Sequence, residues 1–241
     1  MNKIDTLIKK LCPSGIEYKK IEEVCDFVQG FAFKNDTFQS EGVGIVRTTN
    51  IQDKCISEEN MVFINPDNYK ENLDKYIIKK DRILIGMSGT IKVGINTNDK
   101  QYYLNQRVGM FIPNEELIKN KYLFYVLDNS IPQFYNMVSG SSVKNLSSKS
   151  VNDFRIAVPP LEVQCEIVHI LDEFTLLSAE LSAELKARKK QYNEYLNILL
   201  SDEKLKNAKK IKMKDLFDFK NGLSKGKEFF GSGTPFIRYT D

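Results

Sequence analysis

Short apolar segments of four to six residues recur along the first two thirds of the chain, and polar turn residues separate them. Glycine, asparagine, aspartate and serine stand between the segments, which is typical of short strands joined by turns. One longer stretch, Glu115–Leu127, has its apolar side chains at helical spacing. Strands and helices without regular alternation favour an α+β fold with one mixed α/β domain. The predicted strands are Gly44–Thr48, Met61–Ile64, Arg82–Met87, Lys92–Ile95, Val108–Ile112 and Phe154–Val158.

The pattern changes after the double proline at residues 159 and 160, since neither proline nor glycine occurs from Leu161 to Asn221. A proline pair ends a strand and can begin a helix. Positions alternately four and three residues apart then form a heptad seam, and eight of its ten positions are apolar or aromatic. The seam consists of Ile167, Leu171, Phe174, Ser178, Leu181, Leu185, Arg188, Tyr192, Tyr195 and Leu199.

A helix over Leu161–Leu200 would be about 60 Å long, which exceeds the width of a compact domain of this size. A seam of that length needs a partner surface, so the sequence predicts a coiled-coil-forming helix. A helix folded back on its own domain is the alternative. The side chains predicted to contact a partner helix are Ile167, Leu171, Phe174, Leu181, Leu185, Tyr192, Tyr195 and Leu199.

A segment near the amino terminus is repeated near the end of the sequence. The offset of about 192 residues is far longer than the period of a solenoid repeat. The repeated unit is therefore expected to be a whole domain with its helix, and the chain is expected to stop inside the second copy. Val24-Cys25-Asp26-Phe27 aligns with Leu216-Phe217-Asp218-Phe219, Gly30 with Gly222, and Ile45–Asn50 with Phe236–Asp241.

The formal net charge of +3 is unevenly distributed along the chain. Residues 1–157 carry +2, residues 158–205 carry −4 and residues 206–241 carry +5. An anionic partner would therefore meet the segments on either side of the acidic stretch. The run Lys204–Lys214 contains six lysines, which fits either a solvated linker or a contact with a DNA backbone. The hydrophobic content of 41% leaves room for one or two domains.

No combination of residues typical of an active site or a metal site occurs in the sequence. The four cysteines lack Cys-x-x-Cys spacing, and His169 is the only histidine. Asn65-Pro66-Asp67-Asn68 lacks the second proline and the aromatic residue of an adenine methyltransferase loop, and no phosphate-binding glycine loop is present. We therefore expect no catalytic residue, no metal and no cofactor. Without an apolar run of about 18 residues, we expect a cytoplasmic protein with no membrane contact.

Several loops combine groups that can bind DNA. Guanidinium and amide groups can read base edges, whereas lysines, hydroxyls and backbone amides hold phosphates. Each loop alone fits ordinary turn chemistry equally well. The candidate DNA-binding residues are Phe31, Phe33, Lys34, Arg47, Thr48, Thr49, Asn50, Ser88, Thr90, Lys92, Gln106, Arg107, Ser141, Ser142 and Lys144.

The stretch LSSKSVNDFRIAVPPLEVQCEIVHILDEF at Leu146–Phe174 resembles a junction found in the specificity subunits of type I restriction-modification enzymes. That junction joins the last strand of a recognition domain to a long helix. Asp81–Gly94 and Leu104–Pro113 resemble internal strands of the same family. The resemblance implies a target-recognition domain at 1–157, a spacer helix at 158–205 that dimerises and docks methyltransferase subunits, and the incomplete start of a second recognition domain at 206–241.

The resemblance also implies a function and partners. A non-catalytic subunit of this kind would read one half of a bipartite target in double-stranded DNA and dock methyltransferase subunits, with the restriction subunit joining indirectly. A homodimer, or pairing with another specificity chain, would supply the second half, and a homodimer would read a palindromic target. The alternative is a truncated, inhibitory fragment that binds the methyltransferase or another specificity chain without recognising DNA by itself.

Overall fold

The computed structural model describes residues 3–138, 145–218, 220 and 222. The chain forms two compact units, Met1–Ala179 and Glu180–Asp241. The α-helices of the described residues are α1 (Lys3–Leu11), α2 (Ile21–Val24), α3 (Asn120–Asn129), α4 (Ile131–Met137), α5 (Ser148–Asn152) and α6 (Leu161–Leu199). The strands are β1 (Tyr18–Lys20), β2 (Cys25–Gln29), β3 (Val43–Val46), β4 (Ile51–Gln52), β5 (Cys55–Ile56), β6 (Val62–Ile64), β7 (Ile77–Ile78), β8 (Ile83–Gly86), β9 (Val93–Ile95), β10 (Tyr102–Leu104), β11 (Val108–Pro113) and β12 (Arg155–Ala157).

Within the described residues the first unit contains three sheets. The largest has six strands in the order β2-β11-β8-β9-β5-β4, and all its pairs are antiparallel except β5 beside β9. A four-stranded sheet has the order β6-β3-β10-β7, and β3 runs parallel to β10. The third sheet pairs β1 with β12, so the amino-terminal segment is attached to the last strand before α6.

The largest apolar core combines residues of the six-stranded sheet with residues of α3 and α4. Ile85 and Phe111 from the sheet and Leu123 and Phe134 from the helices are fully buried in it. Burying a side chain of this size stabilises the fold by about 1.5–3 kcal/mol before the loss of conformational entropy is counted. The core therefore fixes the sheet from which the candidate loops extend.

All six predicted strands are present, each within two residues of its predicted ends. The predicted α+β class, with a mixed α/β domain followed by one long helix, is confirmed. The helix predicted for Glu115–Leu127 is present as α3, but its predicted start is wrong, since α3 begins at Asn120.

Asn114 explains the late start of α3. Its backbone carbonyl accepts hydrogen bonds from the N–H groups of Leu117 and Ile118, both at 2.9 Å. Its side-chain oxygen also accepts from the N–H of Glu116 at 3.1 Å, as asparagine does in turns. Lys119 then has extended backbone angles, so the helix cannot continue from this turn.

The second unit contains the end of α6, because the boundary between the units falls inside that helix. Met213–Asp215 later forms a 3₁₀ turn at the position that the repeat aligns with α2. The counterpart positions differ in burial: Ile21 is 0% exposed, whereas Met213 is 59% exposed. Phe236–Asp241, the segment that the repeat aligns with Ile45–Asn50, lies outside the described residues, so a second recognition domain stays a prediction.

None of the described helices has both the length and the apolar character that a bilayer-spanning segment requires. The longest, α6, has 39 residues, and its sequence contains charged residues throughout.

Candidate nucleic-acid interface

Arg107 lies in the turn between β10 and β11, and its carbonyl oxygen holds two other loops. The Oγ1 of Thr48 donates a hydrogen bond to this oxygen at 3.1 Å. The backbone N–H of Met87 donates to the same oxygen at 2.8 Å. The Oδ1 of Asn105 accepts from the backbone N–H of Arg107 at 3.3 Å. The loops after β3 and after β8 therefore meet at the turn before β11.

The segment after β2 joins the same turn. The N–H of Phe31 donates to the carbonyl of Leu104, and the N–H of Gln106 donates to the carbonyl of Phe31, both at 2.8 Å. Gly30 allows this approach, because a Cβ there would lie 2.2 Å from the carbonyl oxygen of Asn105. The glycine that the repeat aligns with Gly222 is thus required by close packing of two backbone segments.

The loop before α5 lies beside the loop after β8. Ser88 and Asn145 form an isolated antiparallel bridge. The N–H of Leu146 donates to the carbonyl of Met87 at 2.8 Å. A fourth loop therefore reaches the same place through Asn145. The candidates Ser141, Ser142 and Lys144 lie outside the described residues.

Two residues that the sequence did not single out connect these loops. The Nε2 of Gln29 donates to the carbonyl of Gln106 at 3.2 Å. The Oε1 of Gln29 accepts from the Oγ of Ser148 at 2.7 Å. In the sequence, a glutamine that ends a strand and a serine that begins a helix look like ordinary solvated positions. Only the fold, which pairs β2 with β11 and places α5 beside β2, shows their connection.

We call Thr48, Ser88, Thr90, Gln106 and Arg107 the loop surface. Thr90, Gln106 and Arg107 are exposed, and Thr48 and Ser88 are half-buried. No ion pair among the described residues involves the Arg107 guanidinium. The loop surface therefore presents hydroxyls, an amide and a cation to solvent.

The structure also describes three further candidates, Lys92, Thr49 and Lys34. The carbonyl of Lys92 accepts from the N–H of Gly86 at 2.8 Å, which places Lys92 beside the loop after β8. Its side chain is half-buried, whereas Thr49 and Lys34 are exposed. Within the described residues, no hydrogen bond ties the Lys34 or Lys92 ammonium group to the loop surface.

The aromatic candidates form part of a small core. Phe33 is 6% exposed and its ring lies 5.5 Å from that of Tyr69 and 6.0 Å from that of Tyr103. Phe31 is half-buried and packs against Phe33, with the ring centroids 5.0 Å apart. In this structure Phe33 shapes the loop from inside and has no surface on which a base could stack.

Asn50 and Arg47 hold the neighbouring loop at residues 57–60. Asn50 is 0% exposed, and its amide nitrogen donates to the carbonyls of Ser57 and Glu59 at 3.1 and 3.2 Å. Arg47 donates through Nη2 to the carbonyl of Asn60 at 2.7 Å. The structure places the Asn50 amide in the interior, where it supports the loop and cannot touch DNA.

The start of α6 is anchored by a buried amide. Gln164 is 0% exposed, and its Nε2 donates to the carbonyls of Leu117 and Pro159 at 3.0 and 2.8 Å. Its Oε1 accepts from the N–H of Lys119 at 2.8 Å. This one side chain joins the strand end, the turn before α3 and the first turn of α6.

A second anchor lies two turns further along α6. The Nζ of Lys121 forms an ion pair with Asp172 Oδ2 at 2.6 Å, and the Tyr125 hydroxyl donates to Asp172 Oδ1 at 2.7 Å. Partial burial opposes ionisation of Asp172, but the hydrogen bonds from Lys121 and Tyr125 outweigh it. The pKa of Asp172 therefore lies below its usual value of 3.8. Asp172 is thus a carboxylate at neutral pH, paired with residues of α3.

The predicted seam divides into two parts. Ile167 packs against the large core of its own domain and Leu171 is half-buried. The remaining apolar seam residues are between 56% and 66% exposed: Phe174, Leu181, Leu185, Tyr192, Tyr195 and Leu199. A partner for these six positions stays a prediction.

In the part of the chain that the structure describes, no group of three or more His, Cys, Asp or Glu side chains could hold a metal ion. Among the cysteines, Cys25 is buried and Cys165 is exposed. Burial raises the pKa of the Cys25 thiol to about 12, so it is protonated at neutral pH.

Comparison with known proteins places these features in a family. Residues 13–188 match the family described as the type I restriction modification DNA specificity domain. The MjaVIII specificity subunit of Methanocaldococcus jannaschii is 26% identical over 212 residues, which is 85% of this chain and 48% of that protein. The EcoR124I/EcoR124II specificity subunit of Escherichia coli is 44% identical over 87 residues, 34% of this chain and 21% of that protein.

The fold is also found in a solved structure. The HsdS subunit from Thermoanaerobacter tengcongensis superposes with a TM-score of 0.56 at 17% identity, over 75% of this chain and 44% of that chain. This chain spans about half or less of the length of the relatives it matches. The matched residues cover most of the first unit and the first 28 residues of α6, from Leu161 to Arg188. The chain therefore belongs to the type I restriction modification DNA specificity domain family.

Proposed function

We propose that this chain is a DNA target-recognition subunit of a type I restriction-modification enzyme and that its loop surface contacts one half of a bipartite duplex target. The observation that carries the proposal is the meeting of four separate loops at the turn that contains Arg107. Loops held on a rigid sheet are a common way to present binding groups. Family membership supports DNA as the ligand.

The chemistry of the loop surface fits duplex DNA. The Arg107 guanidinium can donate two parallel hydrogen bonds to guanine, and the Gln106 amide can pair with adenine in the major groove. The hydroxyls of Ser88 and Thr90 suit phosphate oxygens, whereas the hydroxyl of Thr48 already donates to the carbonyl of Arg107. The loops that carry these groups are joined by hydrogen bonds to backbone groups. They would therefore approach the duplex as one rigid unit.

The charge distribution along α6 supports a second copy of this helix as its partner. Residues 161–180 carry five acidic and no basic side chains, whereas residues 181–199 carry four basic and two acidic ones. An antiparallel pair would place the acidic half of each helix beside the basic half of the other. The homodimer would then present two recognition domains related by a two-fold axis, which requires a palindromic target. Pairing with another specificity chain is the alternative arrangement.

The catalytic chemistry would belong to partner chains. Methyltransferase subunits would dock through the α6 region and methylate the target, and a restriction subunit would join that complex. In this proposal the present chain supplies recognition and spacing only. A fragment that occupies the partners without recognising DNA is the competing outcome of the test below.

The test is selection of duplexes from a random pool by the full chain with its methyltransferase subunits, followed by sequencing. The proposal expects two half-sites at one fixed separation. Arg107→Ala should lower affinity for the selected duplex by about 5–150-fold, the effect of one bidentate contact. Arg155→Ala is the matched control, because it removes an exposed arginine of the same domain whose side chain donates to the carbonyl of Tyr18. Equal loss in the two variants, or a complex that selects no sequence, would contradict the proposal.

A further inference from the structure

Gln29, the last residue of β2, is bonded to two segments that are far apart in the chain. Its Nε2 donates to the carbonyl of Gln106 at 3.2 Å, and its Oε1 accepts from the Oγ of Ser148 at 2.7 Å. These partners fix which way the amide points, because a carbonyl can only accept a hydrogen bond and a hydroxyl can donate one. Both polar ends of this exposed side chain are therefore engaged within the domain.

The two bonds of Gln29 complete a closed ring of hydrogen bonds. The N–H of Leu146 donates to the carbonyl of Met87, and the N–H of Met87 donates to the carbonyl of Arg107, both at 2.8 Å. Gln29 joins the two ends of this chain of bonds, because its own partners lie within two residues of Leu146 and Arg107. Among the described residues, no other direct hydrogen bond joins these two ends.

The bond from Gln29 bears directly on Arg107, because the carbonyl of Gln106 belongs to the peptide unit that precedes Arg107. The N–H of the same peptide unit donates to the Oδ1 of Asn105 at 3.3 Å. The peptide unit after Arg107 is held through its carbonyl by the loops after β3 and β8. The Cα of Arg107 thus lies between two held peptide planes, and these planes set the direction in which its side chain leaves the backbone.

This direction matters more for reading a base than for holding a phosphate. A bidentate contact with guanine needs its donors within about 0.5 Å and 10–20° of the productive geometry. Attraction to the phosphate backbone depends on charge and carries no sequence information. Because Gln29 is uncharged, its loss is expected to lower discrimination between sequences and to leave non-specific affinity as it is.

We propose that Gln29 is a positioning residue for DNA recognition, which through its two hydrogen bonds holds the turn that carries Arg107 in the orientation that reads a base. The second part, the reading of a base, rests on the proposed function. The first part, that Gln29 holds the turn, concerns this chain alone and is measured without DNA.

The measurement without DNA is amide hydrogen exchange of the full chain, followed by NMR. Gln29→Leu should speed exchange at the N–H groups of Met87 and Leu146 about threefold to tenfold, because both donate within the opened ring. Ser148→Ala opens the same ring and should act alike, whereas Ser148→Thr keeps the hydroxyl and should exchange as the wild type does. Gln101→Leu is the matched control, because it removes an exposed glutamine of the same domain immediately before β10. It should leave the exchange rates unchanged.

The measurement with DNA uses the full chain with its methyltransferase subunits, the selected duplex, and duplexes with one base pair substituted at a time. Arg107→Ala identifies the base pair that the arginine reads, because discrimination is lost there. Gln29→Leu should lower discrimination at that base pair about threefold to tenfold and leave affinity for a duplex without half-sites unchanged. Combined with Arg107→Ala, it should cause no further loss, because the two residues act as one unit. Gln101→Leu should discriminate as the wild type does.

Each outcome decides one part of the proposal. Unchanged exchange in a folded Gln29→Leu variant would overturn the first part, and faster exchange with full discrimination would overturn the second. A loss at a different base pair that persists alongside Arg107→Ala would show that Gln29 reads a base itself, which contradicts a positioning role. If the wild-type complex selects no duplex, the proposed function fails, and hydrogen exchange decides on the first part by itself.

Discussion

Replacing Gln164 with leucine tests the anchor on which the placement of α6 depends. Leucine has a similar volume and a helix propensity as good as that of glutamine, so neither packing nor helix formation should suffer. What the substitution removes is the set of hydrogen bonds to Leu117, Lys119 and Pro159. The variant therefore isolates the polar contribution of one side chain.

The magnitude follows from the groups that would lose their partner. A buried backbone group without a hydrogen bond costs about 1–3 kcal/mol. The contact to Pro159 is fully buried, whereas the contacts to Leu117 and Lys119 are partly buried and can be rehydrated in part. Burial of the leucine side chain offsets some of this cost. We expect a net loss of about 2–3 kcal/mol in the free energy of unfolding.

Thermal unfolding followed by circular dichroism measures this loss. For a chain of this size, 2–3 kcal/mol corresponds to a decrease in Tm of about 5–10 °C. Gln191→Leu is the matched control, because Gln191 is exposed on the same helix, and it should change Tm by about 1 °C or less. Equal shifts in the two variants would show that Gln164 is not an anchor and would refute the reasoning.

Three further predictions concern other parts of the molecule. Gly30→Ala should lower Tm by several degrees, because the new Cβ would lie 2.2 Å from the carbonyl oxygen of Asn105; an unchanged Tm would argue against the close packing. At pH 8, iodoacetamide should label exposed Cys165 and leave Cys25 unlabelled until denaturant is added, because burial raises the pKa of the Cys25 thiol to about 12. Mass spectrometry of the peptides shows which cysteine is labelled. Leu181→Lys with Leu185→Lys should convert a dimer to a monomer in sedimentation experiments without lowering the Tm of the first unit, whereas a dimer that persists would exclude this seam as the interface.

Periodicity predicted the strands because their apolar side chains are grouped locally. Arg82–Met87 and Val108–Ile112 form central strands whose residues are buried on both faces, and such runs stand out in a sequence. The start of α3 was missed because a single asparagine at 114 closes a turn over residues with good helix propensity. Local turn chemistry outweighed propensity there.

The loop surface could be predicted only in part. Its members were recognisable by side-chain type, but their meeting depends on β3 lying beside β10 and on β11 lying between β2 and β8. Those pairings join residues that are far apart in the chain. The same argument explains why Asn50 was misjudged: its amide is surrounded by the loop at 57–60, and a sequence pattern does not show burial of that kind.

The measurement that tests the central claim most directly is a genome-wide methylation map. The full chain would be expressed with its methyltransferase in a host without DNA methylation, and the control would omit the chain. The account predicts a palindromic, bipartite methylated motif that appears only when the chain is present. A methyltransferase that co-purifies with the chain and yet methylates no defined motif would contradict it.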